Sequence, residues 1–171
     1  MKRKLYLVKS LIMITFVCVY AILQNATIMK RPLYKSKYVC HRLVKSAQIL
    51  YSHWFAETEF MPSQVFRQEM QTWQSIFIQY RPVALFDQCQ AFLYPISPDE
   101  QVWMAKLLQP AFLLGDLRRY AHVVPEESIS NISVMQLFQE LEKLIEPGDL
   151  LIQHFQEEKQ ALEWLEQAVM I

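Results

Sequence analysis

The stretch "MPSQVFRQEMQTWQSIFIQYRPVALFD", residues 61–87, changes its hydrophobic period within a few positions, and that change constrains the fold more than any other feature. Phe66, Met70, Trp73, Phe77 and Tyr80 are spaced 4, 3, 4 and 3, which puts one apolar stripe along a helix. Pro62-Ser63 supplies a start signal. Pro82 stops the helix, and the four apolar residues Val83–Phe86 then run into Asp87. Continuous apolar strands belong to parallel sheets covered on both faces. A helix feeding such a strand is half of a crossover unit and predicts an α/β fold.

The same alternation extends in both directions. "YVCHRLVKSAQILYSHWFAETEF" (38–60) reads as two extended segments, with Ile49, Tyr51, His53 and Phe55 on one face and Leu50, Ser52, Trp54 and Ala56 on the other. Ser97-Pro98-Asp99-Glu100 forms a capping box, with Ser97 at the N-cap and Glu100 three residues on. The helix it opens meets Pro110, which bends or ends it. "RRYAHVVP" (118–125) is a strand closed by Pro125. "SNISVMQLFQELEKLIEPG" carries a helix with Val134, Leu137, Phe138, Leu141, Leu144 and Ile145 on one face and Gly148 past its end. "DLLIQHF" is a last strand and "EEKQALEWLEQAV" a last helix. The predicted order is β-β-α-β-α-β-α-β-α, a four- to five-stranded mixed, largely parallel sheet packed with helices over residues 38–171.

Composition excludes several classes. The chain of 171 residues holds only two glycines, Gly115 and Gly148, so a phosphate-cradling loop has no basis. Cys18, Cys40 and Cys89 contain no Cys-x-x-Cys pair, and His41, His53, His122 and His154 lack ligand spacing. Neither a disulfide scaffold nor a metal site is expected, nor any cofactor. Ten of the 17 basic residues lie within residues 1–45, where there is no acid, so residues 46–171 carry a net charge of −10. An acidic body is a poor nucleic-acid binder.

The N-terminal segment, residues 1–37, is basic and hydrophobic. Its uncharged run from Ser10 to Met29 has 20 residues, enough helix for the roughly 30 Å of a bilayer core. Its apolar heart, Leu11–Leu23, also suits a signal-peptide core. Met29 opens "MKRPLYKSKY", an alternative start. Three readings stand open: a membrane anchor through residues 10–29, a cleaved signal, and an over-extended start. The folded part is expected in the cytoplasm, anchored or free, since its cysteines suggest a reducing compartment.

Several short motifs resemble the SpoIIAA-like branch of the STAS fold (sulfate-transporter and anti-sigma-factor-antagonist), in particular small bacterial members of STAS/SEC14-like type. They are the strand Ala84-Leu85-Phe86-Asp87, then "PISPDEQVW", "LRRYAHVV" and "HFQEEKQALEWL", in that order over roughly residues 38–168. The resemblance implies a non-enzymatic regulatory domain that binds a protein partner in bacterial signalling. Such domains are switched by phosphorylation of a Ser near the start of the helix after the central strand. Here Gln88 and Cys89 follow Asp87, and the nearest hydroxyls are Tyr94 and Ser97. The expected partner or ligand surface comprises Asp87, Gln88, Cys89, Ser97 and Trp103. The alternative is a small-molecule or lipid-binding domain with an apolar pocket between helix and sheet. A hydrolase built on Asp87 and Cys89 would need a base beside the thiol, and no histidine can be placed there from the sequence.

Overall fold

The striped segment folds as a helix, α1 (Ser63–Tyr80), in the computed structural model, with Phe66, Met70, Trp73 and Phe77 buried. The structure describes residues 31–44, 48–114, 116–124, 129–144 and 150–169. The hydrophobic run of residues 10–29 and its three readings lie outside these. Helix α1 ends at Arg81, which adopts the left-handed conformation at φ 44° and donates its backbone N–H to the Phe77 carbonyl. This is a C-terminal cap usually given to glycine.

The remaining elements follow the expected order with one addition. The strands are β1 (Tyr34–Lys35), β2 (Val39–Val44), β3 (Ile49–Trp54), β4 (Ala84–Gln88), β5 (Arg119–Val123) and β6 (Leu151–Phe155). The helices after α1 are α2 (Pro98–Leu114), α3 (Ile129–Glu142) and α4 (Glu158–Val169). Among the described residues the sheet has six strands rather than four or five, because Tyr34–Lys35 pairs with Cys40 and His41. A strand of two residues has no periodicity to read. It is held by the Ser36 hydroxyl, which accepts the backbone N–H groups of Tyr38 and Val39 at 2.9 and 3.1 Å and closes the turn into β2. The sheet thus begins upstream of residue 38. Pro110 lies inside α2, which continues to Leu114 instead of stopping.

Strand order in space is the order in the chain: β1, β2 and β3 are antiparallel neighbours, and β3 to β6 are parallel. Right-handed crossovers between strands laid down in one direction put every connecting helix on the same face. Helices α1, α2 and α3 accordingly cover the face carrying Leu50, Leu85 and Tyr120. Helix α4 follows the last strand and covers the other face. There Trp164 packs on Phe155 at 5.7 Å, and the Arg119 guanidinium lies 4.9 Å over the Trp164 ring. Among the described strands no reversal of order occurs, so they open no crevice of the kind that doubly wound sheets form at a reversal.

Candidate functional site

Period-2 alternation and strand register together draw a polar line across the apolar face of the sheet. His41 pairs with Ser52 across β2 and β3, Ser52 with Asp87 across β3 and β4, Asp87 with His122, and His122 with His154. Five neighbouring strands each place one polar side chain on the same transverse row. His41, Ser52, Asp87 and His122 are buried. Such groups remain in an apolar layer only when hydrogen-bonded to one another or when desolvation keeps them neutral.

The row is partly bonded. His41 Nδ1 lies 3.0 Å from the Ser52 hydroxyl, and His122 Nδ1 lies 3.2 Å from His154 Nδ1. Tyr120 donates its hydroxyl to Asp87 Oδ2. Two polar atoms of the row have no hydrogen-bond partner, His41 Nε2 and Asp87 Oδ1. Burial pushes the Asp87 carboxyl up to about 6, with the Tyr120 and Ser52 hydroxyls acting against the rise. Burial lowers His41 to about 4, and burial with the neighbouring His154 lowers His122 to about 3. At neutral pH the row therefore holds neutral imidazoles and a carboxylate that is mostly charged. Burial, then the negative charge of Asp87, raises the Tyr120 hydroxyl well above its usual range, so it remains a donor.

Above the middle of this row lies a cavity. Trp54, Asp87, Cys89 and His122, near the carboxyl ends of β3, β4 and β5, form its floor together with Tyr120 from the start of β5. Its roof comes from α1 (Phe66, Met70, Trp73), α2 (Met104, Leu108) and α3 (Val134, Leu137, Phe138), with Phe92 and Ile96 of the β4–α2 connection closing one side. Aromatic rings contribute to the wall in two groups: Phe92 meets Trp54 at 5.3 Å, and Phe138 meets Tyr120 and His122 at 5.3 and 5.0 Å. Counted as the space open to the centre of a water molecule, its volume is about 40 Å³. That is room for about three waters, or a ligand of a few heavy atoms.

The structure separates the residues expected to form one surface. Asp87 and Cys89 share the cavity floor, whereas Gln88 between them points to the opposite face and bonds Glu158 of α4 at 3.1 Å. Ser97 is exposed at the start of α2, where its hydroxyl donates to Glu100 Oε2 at 2.8 Å and its backbone N–H to the same oxygen at 3.1 Å. This is the reciprocal half of a capping box, with the serine hydroxyl turned to the carboxylate. Burial alone would raise Glu100, but hydroxyls from Ser63, Ser97 and Tyr94 hold it below its ordinary value. Trp103 is half-buried one turn into α2, with the Arg67 guanidinium 4.6 Å from its ring. Cys89 is buried, and burial followed by the charge of Asp87 raises its thiol well above the ordinary value. A thiol so placed is a poor nucleophile.

Sequence reasoning missed His41, Ser52, Tyr120 and His122 as members of the site. Their parity within each strand was legible, but the alignment of one strand with the next was not. Among the described residues, no group of three or more His, Cys, Asp or Glu side chains is arranged to hold a metal ion. No described helix is long and apolar enough to cross a membrane. Comparison of the chain with protein-family models, curated proteins and solved structures finds no match.

Proposed function

We propose that this chain is a non-enzymatic small-molecule-binding domain whose ligand occupies the cavity between the sheet and helices α1 to α3. One observation carries the reading: an aromatic-walled cavity at the carboxyl ends of the strands, with Asp87, Tyr120 and His122 converging on its floor. Apolar walls with a few placed polar groups are the usual composition of ligand sites. The volume of about 40 Å³ favours a small molecule over a lipid chain. The raised thiol of Cys89 supports binding over nucleophilic chemistry.

Partner docking by a STAS-like regulatory domain is the second reading. It is favoured by the exposed start of α2, where Ser97, Pro98 and Asp99 reach solvent and Val102 is 44% exposed beside Trp103.

The test is to purify the full chain under native conditions, denature it, and identify released small molecules by mass spectrometry. Val134→Phe, which fills the cavity from α3, serves as the comparison. A small molecule released from the wild type and absent from the filled variant is the expected result. A protein companion retained equally by both, with no small molecule in either, would replace the first reading by the second.

A further inference from the structure

We propose that the cavity selects a small organic ammonium ion, which the Asp87 carboxylate receives while the aromatic wall surrounds its alkyl groups. This inference rests on the ligand-cavity reading and adds the chemical class of the ligand.

The carboxylate is built into the cavity floor, where hydroxyls but no cation act on it. Asp87 is 6% exposed, its Oδ2 is taken by the Tyr120 hydroxyl, its Oδ1 has no hydrogen-bond partner of good geometry, and the Ser52 hydroxyl on the neighbouring strand acts on the same carboxyl. No lysine or arginine lines the cavity among the described residues, and no cation acts to lower the carboxyl. A buried, mostly ionised carboxylate facing an apolar space without a counter-charge is costly, and a cationic ligand removes that cost.

The wall has the matching chemistry. Trp54, Phe66, Trp73, Phe92, Tyr120 and Phe138 border the same space. Aromatic faces attract alkylammonium groups, with Trp the strongest of them. His122 on the same floor is held neutral by burial, so it offers no competing positive charge. A neutral polar ligand would leave the charge of Asp87 uncompensated, and an anion would be repelled by it. The size of the space limits the ligand to roughly three to five heavy atoms.

The experiment measures thermal stability and binding heat of the full chain at pH 7.5 with ethylammonium chloride, with ethanol as the neutral counterpart and with equal sodium chloride as the salt control. Asp87→Asn is measured in parallel, and it keeps the shape of the side chain while removing the charge. Expected is a preference for ethylammonium over ethanol of about tenfold or more in the wild type, falling to about twofold or less in Asp87→Asn. The wild-type comparison stands alone if the variant fails to fold. Ethanol binding as well as ethylammonium in the wild type would overturn the ammonium assignment and leave the cavity reading in place. Binding of neither, beyond the sodium chloride control, would overturn both. Retention of the preference in Asp87→Asn would remove Asp87 from the role given to it.

Discussion

Asp87 and the two most deeply buried histidines pull stability in opposite directions as pH falls, and their signs are separable. The carboxyl of Asp87 is raised from 3.8 to about 6 in the native state. Ionisation is therefore harder in the folded chain, and the native state loses stability as pH rises from about 4 through 6. His41 and His122 are lowered from 6.5 to about 4 and about 3. Below pH 6.5 the unfolded chain takes up protons that these rings refuse, so their contribution is present above 6.5 and is lost on acidification. Two histidines against one carboxyl leave a net loss of stability between pH 6.5 and 4, measurable as a falling denaturation midpoint. The Asp87 contribution is isolated by difference: the stability of Asp87→Asn relative to wild type is expected to rise by roughly 2–3 kcal/mol from pH 4 to pH 7. A difference that does not change with pH would mean that burial does not raise the Asp87 carboxyl.

At the scale of elements, local chemistry at helix ends decides how the layer above the cavity is held. Arg81 occupies the left-handed cap of α1 at φ 44°, a conformation that costs a non-glycine residue about 1 kcal/mol. Its ion pair with Asp116, at 3.5 Å, is exposed on both sides and adds little. Arg81→Gly is expected to stabilise the fold by about 0.5–1 kcal/mol in chemical denaturation; a loss of stability would show that the Arg81 side chain contributes more than its cap strain. Glu100 joins the start of α2 to α1 by accepting hydroxyls from Ser63, Ser97 and Tyr94. Glu100→Ala leaves those donors unanswered and is expected to cost about 2–3 kcal/mol. A cost below about 0.5 kcal/mol, the level of an ordinary surface substitution, would contradict the bridging role.

Legibility in the sequence followed the range of the interactions. The stripe of α1, the capping box of α2 and the strand–helix alternation are local and were readable. β1 was not, since Tyr34 and Lys35 become a strand only through their pairing with Cys40 and His41. Asp87, Gln88 and Cys89 were grouped as neighbours, yet residues adjacent in a strand point to opposite faces, and Gln88 bonds to α4 while the other two face the cavity. The polar row required the register of five strands. No period within one strand carries that information.

For the molecule as a whole, sequential strand order sets where a ligand can go. Three connecting helices share one face, and the space they leave over β3 to β5 is lined by aromatic and aliphatic side chains from both layers. The four tryptophans sample the molecule at distinct places: Trp54 and Trp73 line the cavity, Trp103 sits on α2 against Arg67, and Trp164 sits on α4 against Arg119. Their indole N–H resonances, followed while ethylammonium chloride and then ethanol are titrated into the full chain, report the binding place directly. Shifts at Trp54 and Trp73, with Trp103 and Trp164 unchanged, are expected from a ligand seated between the sheet and the helices. Shifts confined to Trp103 or Trp164, or none with either compound, would contradict the cavity as the functional site.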